Sequence, residues 1–128
     1  MTPSIYVAGP YSAPIPKAIE LNVMKACSMA AALLTQGWLV FCPHAHSHNI
    51  ADFLSPDMRC NHEVWMRQDL YWLAKCDAIF LLPGWQQSKG ALLEYEFAAK
   101  RVIPIVDCLA ESEALIRKLE STPDRGGA

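Results

Sequence analysis

The chain has 128 residues, one domain's worth, with 52% hydrophobic and 19% charged residues and a formal net charge of -2. That balance excludes the basic footprint of a duplex-binding protein, so no nucleic-acid partner is expected. The apolar content predicts a well-buried sheet with apolar surface left for contacts between copies, as a homodimer or higher homo-oligomer.

Residues 4–8, Ser-Ile-Tyr-Val-Ala, read as a short buried strand running into the breaker pair Gly9-Pro10. From Lys17 to Gln36 apolar residues recur at helical spacing (Ile19, Val23, Ala26, Cys27, Ala30, Leu33, Leu34), and Gly37 marks the stop. Trp38 to Cys42 reads as a second strand closed by Pro43. Residues 44–60 read as a polar, His-rich connection without clear period, holding one short helical turn near Asn49–Leu54. A helix follows over Asn61–Lys75, then a third strand over Ala78–Leu82 halted by Pro83-Gly84. A helix from Ser88 to Arg101, a fourth strand over Val102–Val106 and a short helix over Glu111–Leu119 complete the pattern. Residues 1–120 make one domain, and the Pro/Gly-rich 121–128 a frayed, flexible tail.

The N-terminus has no basic region followed by an apolar stretch, and no apolar run approaches the length of a membrane span. A cytoplasmic protein without a membrane partner is therefore expected. The five cysteines (Cys27, Cys42, Cys60, Cys76, Cys108) are odd in number and lack C-x-x-C spacing, which suits a reducing compartment. Cys42, without a helix N-terminus or basic neighbour to lower its pKa, reads as core.

Alternating strands and helices predict an α/β fold: a doubly wound parallel sheet in a three-layer sandwich. In such sheets ligands bind beyond the carboxyl ends of the strands. The sequence puts Gly9-Pro10-Tyr11-Ser12, Pro43-His44 and Pro83-Gly84-Trp85 there.

In the helix after the third strand, Glu94 shares a face with Gly90, Ala91 and Ala98, a small-residue stripe able to press on the sheet. Glu96 lies roughly 200° away and is spaced to pair with Lys100 in solvent. Glu94 is thus the inward carboxyl, either functional or tied to neighbouring backbone or an arginine. Asp69, among Trp65, Met66, Leu70, Trp72 and Leu73, also sits on a largely apolar face. It is either a partnered interior Asp or a carboxyl of raised pKa, as a general acid requires. Asp77 reads as a turn residue. Two carboxyls from different helices at one strand edge suggest glycosyl chemistry, one attacking or stabilising the anomeric carbon and one protonating the leaving group.

Ile5-Tyr6-Val7-Ala8-Gly9-Pro10, Asp69-Leu70-x-Trp72-Leu73 with Cys76-Asp77-Ala78, and Ser88-x-Gly90-x-x-x-Glu94 resemble the nucleoside 2-deoxyribosyltransferase superfamily, which includes the 2'-deoxynucleoside 5'-monophosphate N-glycosidases. The resemblance covers about residues 4–106 and is nearest to small bacterial and phage members. It implies a flavodoxin-like (Rossmann-like) sheet of five strands, where four are clear in the sequence. It also implies a covalent glycosyl intermediate on Glu94, with Tyr6 orienting that carboxylate and Asp69 passing a proton to the leaving base. The expected substrate is a nucleoside or its 5'-monophosphate, with no cofactor. Ser88 stands where, in the resemblance, nucleoside transferases carry Asp and nucleotide hydrolases carry Ser, so a 5'-phosphate is implied; its other use is as a helix N-cap. Expected substrate contacts are Gly9, Tyr11, Ser12, His44, Trp85, Ser88 and Gly90. Two features depart from the family: the helix continues Glu94-Tyr95-Glu96 rather than Glu-Leu-Gly, and the His-rich loop is additional.

His44, His46 and His48 alternate, so an extended segment would turn three imidazoles one way, a metal face with His62 or Asp52 added. Without a second spaced ligand pair no metal is expected; hydrogen bonding, base stacking or capping of the strand end are the alternatives. Trp85 stands at the presumed active edge, suited to stacking on a nucleobase, whereas the other tryptophans read as core. The alternative function is a non-catalytic nucleotide-binding or sensing module of the same fold.

Overall fold

The computed structural model describes residues 2–122. The flexible tail expected over 121–128 therefore lies mostly outside the described residues. Four strands, β1 (Ser4–Ala8), β2 (Leu39–Phe41), β3 (Ala78–Leu81) and β4 (Ile105–Val106), form one sheet in the order β2-β1-β3-β4. Every pairing is parallel, with Tyr6 opposite Phe41 on one side and Ile79 on the other. Six helices connect and cover them: α1 (Pro16–Gln36), α2 (Pro43–Ala51), α3 (Pro56–Arg59), α4 (His62–Ala74), α5 (Lys89–Lys100) and α6 (Leu109–Glu120).

Strand alternation sorts the core into two layers. Ile5, Val7, Ala78 and Phe80 face one way and pack on Ala26 and Leu33 of α1 and Ile116 of α6. Tyr6, Ala8, Ile79 and Leu81 face the other way, onto Leu73 of α4 and Ala98 of α5. This is the three-layer, Rossmann-like α/β sandwich expected. From β1 the chain crosses to β2 on one side, and from β2 it returns past β1 to β3 on the other. The crevice beyond β1 and β3 is therefore the topological switch point, where doubly wound sheets place ligands.

Local chemistry accounts for the boundaries. Gly37 ends α1 in the left-handed region (φ 107°), its N–H bonding back to Leu34 O at 3.0 Å. Asn61 caps α4 by accepting from the amides of Glu63 and Val64, and Ser88 caps α5 by accepting from Ala91 N at 3.2 Å. Asp77 is the turn residue expected: its carboxylate accepts from Ser4 N at 2.8 Å and so joins β3 to the start of β1.

Three readings are corrected. The connection 44–60 is mostly helical, because Pro43 does not stop β2 but occupies the first turn of α2, where its missing N–H costs nothing. Ser55-Pro56 begins α3 in the same way, with Ser55 accepting from Met58 N. The fourth strand shrinks from Val102–Val106 to Ile105–Val106, and the sheet has four strands rather than the five that the resemblance implies. Val102 (φ 56°) and Ile103 close α5 through bonds from Val102 N to Ala99 O and Ile103 N to Ala98 O, so the backbone is committed to a helix cap there. Finally, α1 is by length and composition apolar enough to span a membrane, contrary to expectation. It forms an outer layer of this fold, with Ala26 and Leu33 buried and Leu21, Met24 and Leu34 exposed.

Candidate active site

A cleft of about 820 Å³ opens at the switch point. Its floor comes from the loops after β1 and β3, and its walls from α2 to α5. Gly9 brings the first loop against the end of β3: a Cβ built there would lie 2.6 Å from Leu82 Cβ, so only glycine permits this approach. Gly84 (φ 87°) turns the chain after β3 towards Ser88 and α5.

Glu94, on the buried face of α5 with Ala91 and Ala98, is 5% exposed and lines the cleft. The inward and outward glutamates divide as the helix period requires, since Glu96 is exposed. Glu96 forms no ion pair with Lys100; the ion pair closed among the described residues is Arg117–Glu113. Beneath Glu94, the fully buried Tyr6 donates its hydroxyl hydrogen to Glu94 Oε2. Burial and the adjacent Glu94 carboxyl hold the Tyr6 hydroxyl well above the ordinary tyrosine range, so it stays a donor.

Asp69 reaches the same cleft from α4. Its Oδ1 is buried without a hydrogen-bond partner, and burial pushes the carboxyl up to about 7. Burial pushes Glu94 up to about 8, opposed by the Tyr6 hydrogen bond and reinforced by repulsion from Asp69. These two carboxyls titrate as a pair, and the donors around them decide which one keeps a shared proton. Glu94 has the Tyr6 O–H directed at it, whereas nothing donates to Asp69 Oδ1. With one proton between them, the Tyr6 donor favours the arrangement in which Glu94 is ionised and Asp69 protonated.

Gly9, Tyr11, Ser12, His44, Ser88 and Gly90, expected to contact substrate, all line the cleft with Glu94 and Asp69. Trp85 is not brought there: it lies in a 3-10 turn and packs on Tyr95 with ring centroids 4.7 Å apart. The histidine triplet does not converge as an extended segment would. On a helix, positions four apart lie roughly 40° apart and positions two apart roughly 200°. His44 and His48 accordingly face the cleft, and His46 sits against Phe41 with centroids 5.3 Å apart. Tyr11 Oη and His48 Nδ1 are 2.8 Å apart, and His44 Nε2 lies 2.9 Å from Pro10 O, tying α2 to the first loop. Asp107, Cys108 and Glu111, exposed at the start of α6, form the cluster of potential metal ligands among the described residues. They lie outside the cleft. Cys42 is buried core but stands as N-cap of α2, contrary to the reading that no helix begins there; burial still pushes its thiol up.

Sequence reasoning did not single out Arg59 as a cleft residue, and it weighed His48 and His62 as metal ligands rather than as lining of this cleft. The signal was present: His44 and His48 are four apart, and Ser55-Pro56 announces the short helix that carries Arg59.

Comparison with curated proteins returns no match. A family model described as a domain of unknown function, DUF1937, matches residues 3–109, which take in all four strands, the first loop, Asp69 and Glu94. The chain belongs to the DUF1937 family.

Proposed function

We propose that this protein is an N-glycosidase acting on (deoxy)nucleoside 5'-monophosphates, with Glu94 as nucleophile and Asp69 as proton donor. The observation that carries this reading is the buried Tyr6–Glu94 hydrogen bond at the floor of a cleft shared with the unpartnered Asp69. A carboxylate held by one donor attacks the anomeric carbon as the C–N bond breaks, and its electron pair leaves with the base. The Asp69 proton goes to the departing base. Water then attacks the glycosyl ester, gives a proton to Asp69 and regenerates Glu94; a second base in place of water gives transfer instead.

The 5'-phosphate belongs to the same reading. Ser88 opens the twelve-residue α5, whose free amides favour an anion, and Lys89, Arg59 and Ser12 line the same cleft. Ser88 also accepts from Ala91 N as the N-cap, and its hydroxyl hydrogen is left to donate.

The test is a screen of nucleosides and 5'-monophosphates for free-base release, with and without a second base. Release from monophosphates, lost in Glu94→Ala and retained in Glu96→Ala, is the expected result. Equal loss in both variants would remove Glu94 as nucleophile. Ligand binding with no release of any base would favour the sensing module.

A further inference from the structure

We propose that His44 is a fixed hydrogen-bond acceptor for the bound substrate, taking at Nδ1 a hydrogen from a donor on its base or its sugar. This inference rests on the reading of the cleft as a nucleotide site and goes beyond it by assigning the α2 histidine a part in selecting the substrate.

The tautomer follows from one contact. Pro10 O can only accept, so the ring nitrogen 2.9 Å away, Nε2, carries the hydrogen. The ring is 5% exposed, and burial lowers its pKa against the opposing pull of the Pro10 and Gly9 carbonyls, so it stays neutral. In a neutral ring with hydrogen on Nε2, Nδ1 presents a lone pair. That atom is buried and has no partner.

Three buried side-chain polar atoms lack a partner among the described residues. Trp38 Nε1 is in the core beneath α1 and α6, but the other two, His44 Nδ1 and Asp69 Oδ1, belong to residues lining the cleft. An unsatisfied buried polar atom is costly, and such atoms in a native structure call for a ligand or water to complete them. Asp69 already has its part in the proposed chemistry. His44 is anchored from behind by Pro10, and its neighbour one turn on, His48, is engaged with Tyr11. The imidazole is thus preorganised, and the free lone pair selects for a donor because a ligand lacking one leaves it buried and unpaired.

Two substitutions separate this role from a structural one. His44→Gln places an amide N–H near Nε2, keeping the tie to Pro10 and removing the acceptor. His44→Asn places a carbonyl oxygen near Nδ1, keeping the acceptor and removing the tie. Binding of the common deoxynucleoside 5'-monophosphates and their 3'-deoxy analogues is measured by calorimetry, and the His44 Nδ1 resonance is followed by nitrogen-15 NMR. We expect His44→Gln to weaken binding by about tenfold, the scale of one hydrogen bond, His44→Asn to keep most of the affinity, and ligand to move the Nδ1 resonance. Thymidine monophosphate, lacking an exocyclic amine, binding as weakly as the Gln variant binds the others would assign the donor to the base; the same weakness in the 3'-deoxy analogues would assign it to the sugar. Wild-type affinity in His44→Gln, or a Nδ1 resonance that no nucleotide moves, overturns the proposal. Base release is read in the same samples: its absence with this binding pattern intact removes the glycosidase reading and leaves the role of His44 standing.

Discussion

Replacing Glu94 by Gln should stabilise the fold in alkali and have little effect in acid. In the unfolded chain this carboxyl titrates at its ordinary value of 4.5, and in the folded protein burial pushes it up to about 8. Below pH 4.5 both states are protonated and the carboxyl costs the fold nothing. Between the two values the folded Glu94–Asp69 pair retains a proton that the unfolded chain has lost, whichever carboxyl carries it, so stability falls as pH rises. Above about pH 8 the full cost is present. At about 1.4 kcal/mol per pH unit the span corresponds to about 5 kcal/mol. That is an upper value, because part of the rise is repulsion from Asp69, which is relieved while Asp69 keeps its proton. Gln carries no charge, and its amide oxygen still accepts from Tyr6. Urea unfolding at constant ionic strength, from pH 4.5 to 9, measures the difference between variant and wild type, with Glu96→Gln as an exposed control. The difference should grow by several kcal/mol across the range for Glu94→Gln and stay flat for the control. A pH-independent difference, or a Gln variant less stable than wild type at pH 9, would refute the account of a charge confined beneath the cleft.

Asp69→Asn should slow release of poor leaving bases by about a hundredfold or more, the usual scale of general acid catalysis, while an activated aryl glycoside is nearly spared; equal losses across leaving groups in steady-state assays would count against the proton-donor role. Gly9→Ala should destabilise the protein by about 1–3 kcal/mol in denaturant melts, because the added methyl meets Leu82 within 2.6 Å. Val102→Gly should stabilise it by about 1 kcal/mol, since a β-branched residue at φ 56° is strained and this one is 85% exposed with little packing to lose. Ser88→Asp keeps an N-cap but should weaken 5'-monophosphates by about tenfold, roughly 1.4 kcal/mol, while sparing nucleosides; a wild type that prefers nucleosides would overturn the phosphate reading.

The sheet and the two carboxyls were legible because each is written in a local pattern. Ser4–Ala8 is an apolar run ending in a breaker, and Glu94 lies on the same helical face as Ala91 and Ala98, both of them buried with it. α2 was not legible because it carries no apolar stripe: its inner face is Pro43, His44 and His48 against the cleft, and its outer face includes His46 and the exposed Ile50. With histidines at every second position, the sequence imitates strand alternation where the backbone is helical. β4 was overestimated for a different reason. Val102 and Ile103 have strand-like side chains, but their amides bond back to close α5, a local capping requirement that strand propensity does not register. Trp85 stood in the right loop, yet its ring packs at a tilt on Tyr95 and does not line the cleft.

Tyr6 belongs to a strand paired on both sides, its neighbours being Phe41 and Ile79. The group that holds Glu94 therefore cannot move unless the centre of the sheet comes apart, and its amide should exchange with solvent only through global unfolding. The opposite wall is built otherwise: from Asp52 to Asn61 the chain is exposed along nearly its whole length and lies outside the sheet. Heating should consequently act on the protein in two stages, with ligand affinity fading first as the α2–α3 wall loosens. The Tyr6–Glu94 pair persists until the domain melts, so a protein warmed short of its melting point and then cooled recovers its site intact.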